Sequence, residues 1–217
     1  MELCTLASGS SGNAVLVFDN DTALLFDAGI SAKRICDGLK QIGLSAGQLD
    51  GICITHSHYD HISGLRVLLK RTDAKIYATG QTASALERQV EGAAERIEII
   101  HPQEEFQLGD LSVQAFNTPH DAPGSVGYTV SNRDRKCSIV TDLGFVTEEV
   151  RESILGSQLA LVEANHDVDW LMKVKMQGRI QKWVDHSISV TINLPNDVDE
   201  ALVNRLYVEA WRSGCKG

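Results

Sequence analysis

The sequence predicts an α/β (α+β) fold of two stacked β-sheets with helices on both outer faces, a four-layer αββα sandwich. Two observations carry this expectation. The first strand-like runs follow one another as hairpins, and the later ones alternate with helical segments. The runs are also short, apolar and bounded by Gly, Asn and Asp, as buried strands are.

The elements follow in order. Leu3–Leu6, Ala14–Phe18 and Ala23–Phe26 read as strands. The Gly/Ser loop Ser8-Gly9-Ser10-Ser11-Gly12-Asn13 joins the first two, and Asp19-Asn20-Asp21 turns the second into the third. Ile30, Ile35, Leu39 and Ile42 have helical spacing, and Gly43 ends that helix. Gly51-Ile52-Cys53-Ile54-Thr55 is a buried strand, and a His/Asp cluster follows it. A helix through Leu65–Arg71, a strand at Lys75–Ala78, a helix at Thr82–Val90 and a strand at Ile97–Ile100 come next. Glu105–Leu108 and Leu111–Phe116 form a hairpin across Gly109-Asp110, and Val126–Ser131 pairs with Cys137–Thr141. Val146–Leu155 is a helix and Leu159–Ala164 a strand. From about residue 173 the texture changes. Lys173–Arg179 is basic and breaks the strand–helix rhythm, Val190–Leu194 is strand-like, and Asp199–Arg212 is a helix with Asn196 or Asp197 as its cap.

Composition limits the function classes. At ~150 residues per domain, 217 residues make one domain, or at most one and a half. Charged residues are 23% of the chain and apolar residues 43%, so the chain is not disordered. No apolar run approaches the ~20 residues of a membrane span, and Met1–Thr5 lacks the basic start of a signal peptide. Five cysteines with no C-x-x-C pair argue against a disulfide framework and for a reducing cytoplasm. Twenty Lys and Arg against 29 Asp and Glu give a net charge of −9, which excludes non-specific coating of nucleic acid.

The chemistry concentrates in Thr55-His56-Ser57-His58-Tyr59-Asp60-His61. Four metal-capable side chains, His56, His58, Asp60 and His61, fall within six residues at the end of a buried strand. His56 and His58 point to one side of an extended segment. Asp60 and His61 face a second position as the chain turns into a helix. Imidazole with carboxylate suits Zn, Mn or Fe, and one loop can serve two metals. Further donors stand at later strand ends: His120 in Thr118-Pro119-His120-Asp121, Asp142 in Thr141-Asp142-Leu143-Gly144, and His166 in Glu163-Ala164-Asn165-His166-Asp167. His166 is open between ligand, orienting donor, substrate-phosphate contact and simple helix cap. The Ser8–Asn13 loop offers phosphate donors and is equally a tight turn.

The run His56-x-His58-x-Asp60-His61, followed by His120 and Asp142, resembles the metallo-β-lactamase-fold hydrolases. Leu6–Asn13, Phe26-Asp27-Ala28-Gly29, Asn117–Asp121 and Glu163–Asp167 resemble the YycJ/WalJ-type branch, regarded as cytoplasmic DNA-processing nucleases or phosphodiesterases. The resemblance covers residues 1–172, taken as the hydrolase domain. It implies two divalent metal ions. One is held by His56, His58 and His120. The other is held by Asp60, His61 and a late histidine, with Asp142 bridging. Asp27, Ser8, Asn13 and Glu163 would support the site or meet substrate.

The branch carries its late histidine in a Gly-His-Leu-Ser-Asn stretch that this chain lacks. His186, in Asp185-His186-Ser187, is the candidate replacement. Residues 173–217 instead resemble, from Gln181 onward, a late piece of adenosylcobalamin-type ribonucleotide reductase. No reductase function transfers with so short a piece. The tail also carries apolar residues that need burial, among them Val190, Ile192, Leu194, Leu206 and Trp211.

The expected activity is hydrolysis of a phosphodiester, in DNA, by hydroxide held between two metals, with Asp60 and His166 moving protons. The alternatives are hydrolysis of a small ester, thioester, lactone or lactam, and a metal-binding domain inactivated by its tail. A nucleic-acid substrate is the expected partner and no membrane is. The oligomeric state is open.

Overall fold

The computed structural model describes residues 1–164, 170–186, 188–189 and 199–216. The first sheet takes β1 (Glu2–Ala7), β2 (Ala14–Asp19), β3 (Thr22–Phe26), β4 (Gly51–Cys53), β5 (Lys75–Thr79) and β6 (Ile97–Ile100), in that order across the sheet. α1 (Ala32–Gln41), α2 (Tyr59–Ile62), α3 (Leu65–Leu68) and α4 (Gly80–Gln89) lie between its strands. The second sheet takes β7 (Glu105–Leu108), β8 (Leu111–Asn117), β9 (Val126–Ser131), β10 (Lys136–Leu143), β11 (Leu159–Ala164) and β12 (Ile188–Ser189), with β12 at one edge and β7 at the other. α5 (Glu148–Ile154), α6 (Trp170–Gln181) and α7 (Glu200–Arg212) complete the chain. Each sheet is antiparallel where the chain runs in hairpins and parallel where helices intervene.

Strand alternation explains the continuous apolar runs. Leu16, Leu25 and Ile52 face the helices of the first sheet, among Ile35, Leu39, Leu65 and Leu86. Val15, Val17, Leu24 and Phe26 face the other sheet, against Val113, Val130 and Ile139. A strand covered on both faces needs no polar side. A third cluster joins Val140, Val150, Ile154, Ile180, Val184 and Ile188 on the outer face of the second sheet.

Tyr128 ties the two sheets together at the place where the metal-capable loop begins. Its ring meets Phe26 edge-on at 5.3 Å, and its hydroxyl donates to the Ile54 carbonyl at 2.9 Å. Tyr128→Phe removes that donor and leaves a buried carbonyl with one partner fewer. Urea unfolding should show a loss of about 1–2 kcal/mol; an unchanged midpoint would contradict the pinning role.

Three expectations are corrected. The helix expected through Leu65–Arg71 is α3, which ends at Leu68, and a separate helical turn, α2, precedes it across Gly64, where any Cβ would meet the Ile30 carbonyl at 2.0 Å. Lys173–Arg179 does not break the rhythm but lies inside α6. There Lys173, Val174, Gln177 and Gln181 are buried on one side while Lys175 and Arg179 stay exposed. The cap of α7 is Asp199, whose side chain accepts from the Ala201 N–H at 3.0 Å. Asn196, Asp197 and the strand-like run Val190–Leu194 lie outside the described residues. The boundary drawn at residue 172 falls within α6, and β12 pairs parallel to β11. Of the tail's apolar residues, Leu206 is buried and Trp211 is 79% exposed.

Candidate metal centre

The centre forms where strand ends of both sheets meet. β4 ends at Cys53, and Val126 N–H donates to the Thr55 carbonyl at 3.0 Å, linking the loop to β9. The loop is laced to the turn after β3. Ala28 N–H donates to the His61 carbonyl at 2.8 Å, and Asn13 N–H to the Asp60 carbonyl at 2.8 Å. Gly29 permits this approach, since a Cβ there would stand 1.5 Å from the Asp60 carbonyl oxygen. Asp142 arrives through an irregularity in β10, where pairing with β11 shifts between Val140 and Leu143. Its φ of 49° and the φ of 60° at Asp27 are left-handed, a strain that clusters at functional positions.

Two groups of donors result. His56, His58 and His120 form one, and His56, His61 and Asp142 the other, each with its ligand atoms within 4.8 Å of one another. His58 Nδ1 and His120 Nε2 are 3.1 Å apart. His61 Nε2 lies 2.8 Å from Asp142 Oδ2, and His56 Nε2 lies 3.4 Å from the same oxygen. The second group takes His56 where Asp60 was expected. Asp60 Oδ2 stands at its rim, 3.7 Å from His61 Nε2.

His56 tests whether these residues fit a cation. Its Nε2 is fully buried and makes no hydrogen bond among the described residues. Burial, and then the neighbouring His61, push this imidazole down to about 2, so it is neutral. A neutral, buried, unsatisfied imidazole nitrogen aimed at other imidazoles suits a divalent ion.

Behind the ligands stands a hub. Asp27 Oδ2 is 2.7 Å from His61 Nδ1, and Asp27 Oδ1 accepts from the Thr55 backbone N–H at 2.9 Å. The Thr55 hydroxyl also lies 3.0 Å from His56 Nδ1. Such partners fix which nitrogen faces the metal. Burial opposes charge on His61, but Asp27 on one side and Asp142 on the other outweigh it and push the group up to about 10. Burial raises Asp142, yet the hydrogen bond from His61 holds its carboxyl below the ordinary value. A metal taking His61 Nε2 must therefore displace a proton. Metal uptake should release protons, and affinity should fall as pH falls. Calorimetry in two buffers of different ionisation enthalpy checks this; identical heats would contradict it.

The other candidates divide. Asn13 accepts from Gly9 N–H at 3.0 Å and places its amide 3.1 Å from His61 Nε2. Among the described residues, no hydrogen bond joins Ser8 to the ligand groups. Glu163 is buried at the end of β11, with Oε2 unbonded among the described residues. Burial, then repulsion from Asp142, pushes it up to about 7. His166 lies outside the described residues. His186 is corrected as a ligand. Its N–H donates to the Gln158 carbonyl at 3.2 Å, just before β11 begins, and it lines a cavity of about 390 Å³ with Met1, Leu3, Lys136 and Cys137. β12 runs parallel to β11, so a residue preceding it sits at the end of the sheet away from Asp142 and Glu163. Sequence reasoning missed Thr55 and Asp121, whose Oδ1 lies 3.1 Å from His120 Nδ1. Both adjoin proposed ligands, which was the available signal.

The fold agrees with that of relatives of known family. The sequence model of the metallo-beta-lactamase superfamily matches residues 7–179. The chain is 35% identical over 172 residues to exodeoxyribonuclease YycJ of Bacillus anthracis, covering 79% of this chain and 65% of that protein's length. It is 32% identical over 206 residues to exodeoxyribonuclease WalJ of Streptococcus pneumoniae, covering 93% and 75%. The crystal structure of the metallo-beta-lactamase fold protein YhfI from Bacillus subtilis superposes with a TM-score of 0.73 at 17% identity, over 95% of this chain and 87% of that one. With the sandwich, the strand-end donors and these matches in agreement, the chain belongs to the metallo-beta-lactamase superfamily.

Proposed function

We propose that this protein is a dinuclear metal-dependent phosphodiesterase that degrades DNA. The observation that carries the reading is the pair of donor groups sharing the buried, unsatisfied His56. The exodeoxyribonuclease names of the YycJ and WalJ relatives support DNA as the substrate. Two divalent ions, Zn, Mn or Fe, would supply an activated water and neutralise charge on the phosphodiester.

His56, His58 and His120 would hold one ion, and His61, Asp142 and Asp60 the other, with Asp142 between them. Asp27 and Thr55 keep His61 and His56 turned toward the ions. Asp60, at the open rim, aligns the attacking water and takes its proton. His166 donates to the leaving oxygen, and Glu163 stands behind Asp142. The Ser8–Asn13 loop offers backbone donors to a phosphate. The five cysteines, free in this structure, accord with a reducing cytoplasm.

The test is metal-reconstituted protein incubated in parallel with single-stranded DNA, double-stranded DNA and a chromogenic lactam. DNA hydrolysis that a chelator abolishes is expected. Rapid lactam turnover with inert DNA would overturn the reading in favour of a small-substrate hydrolase.

A further inference from the structure

α7 is anchored from one side. It packs on α6, where Gly178 allows a close approach: a Cβ there would stand 2.4 Å from the Ser213 carbonyl oxygen. Leu206 is buried, and Glu209 pairs with Lys175 of α6 at 4.0 Å. Just past the helix, the Lys216 amine donates to the Asp185 carbonyl at 2.8 Å.

The other side of α7 lies open. Tyr207 is 74% exposed and Trp211 79%. With Asn204 and Val208 they make an exposed stripe at the three-to-four spacing by which a helix presents one face to a neighbour. Glu200, Arg205 and Arg212 rim the stripe. Glu209 has its partner on α6, but none of these three makes an ion pair or a side-chain hydrogen bond among the described residues. Two large rings and three unpaired charges on one anchored helix face mark a surface that meets another molecule.

The face is complementary to itself. At about 100° per residue, the exposed arc of α7 is centred between Asn204 and Val208, level with Leu206. A two-fold axis through that centre lays a second α7 antiparallel on the first. Asn204 then faces Val208, Ala201 faces Trp211, Glu200 faces Arg212 and Arg205 faces Tyr207, each pair occurring twice. The largest ring meets the smallest side chain of the face. Opposite charges meet at both ends, and a guanidinium meets a tyrosine ring. No like charges oppose each other.

We propose that the outer face of α7 binds a second copy of this chain as an antiparallel, two-fold helix pair. The 13 residues of α7 make a helix about 20 Å long. One such pair buries area near or below the ~1,200 Å² of stable interfaces, so the dimer exchanges with monomer. The proposal stands apart from the DNA-hydrolase reading and holds whatever the substrate is.

Sedimentation velocity of the full chain over a range of concentrations should show a reversible monomer–dimer equilibrium. Tyr207→Ala and Trp211→Ala should each weaken it by roughly tenfold or more, the scale of an interface anchor. Glu200→Arg and Arg212→Glu should each abolish self-association, because each opposes like charges at both ends of the pair. Mixed together, these two charge variants should associate, since every arginine of one then faces a glutamate of the other. A merely structural role for these side chains would not produce that rescue. A monomeric mass at every concentration, which leaves the face to a different protein, would overturn the proposal. So would a dimer that both alanine variants leave untouched, an assembly that grows beyond two chains, or a mixture of the charge variants that stays monomeric.

Discussion

His56→Ala should empty the position made by His56, His58 and His120 and abolish hydrolysis, while the metal-free protein keeps its stability. Both donor groups meet at His56, but its single free nitrogen serves one ion, and its loss leaves that ion only His58 and His120. The activity loss should exceed the ~10–100-fold typical of residues that only orient a ligand. Stability behaves differently because Nε2 is buried without a hydrogen bond. Removing an unsatisfied polar group returns part of its desolvation penalty, which offsets the small cavity left behind. Elemental analysis and chemical denaturation of the chelated protein check both halves. Asp142→Ala supplies the contrast, since it should empty the position at His61 first. Retention of both metals in the His56 variant would contradict its assignment as a ligand.

Gly29→Ala should be the most damaging alanine substitution among the described glycines. The added carbon would sit 1.5 Å from the Asp60 carbonyl oxygen and 2.7 Å from the Asn13 nitrogen, both backbone atoms. Neither can rotate aside, so the turn and the metal loop must separate. That breaks the Asn13–Asp60 and Ala28–His61 backbone hydrogen bonds together. A cost of about 3 kcal/mol or more is expected, in the range reserved for a named steric conflict, with weaker metal binding. Gly47→Ala is the control. Nothing lies within 4 Å of a Cβ there, so it should be neutral or slightly stabilising. Comparable midpoints for the two variants in thermal unfolding would refute the argument.

The sandwich was legible because its signals are local. The runs at Ala14–Asp19 and Thr22–Phe26 are apolar over most of a strand, Leu111–Asn117 alternates apolar with polar residues, and Gly or Asn/Asp turns punctuate them. The helix at α6 was not legible. Its lysines and arginine obscured the three-to-four spacing of Val174, Gln177 and Gln181, and two of those are polar residues buried only because the sheet receives them. Where tertiary contacts decide burial, pattern reading fails.

The sequence by itself determined the donors. His56, His58, Asp60 and His61 lie within one loop, and neighbours this close in the chain must be neighbours in space. It also determined that His120 and Asp142 stand at strand ends, since β8 and β10 are read from their own residues. Only the tertiary structure decided how the donors are shared. It set His56 between two groups, gathered Asp27 and Thr55 behind the imidazoles from separate strands, and bent β10 to aim Asp142. It also sent His186 to the far end of the second sheet. A histidine carries its chemistry in its side chain, but its destination depends on the direction in which its strand enters the sheet. That direction is fixed by parallel pairing between β11 and β12, a contact between segments that neither segment's local pattern encodes.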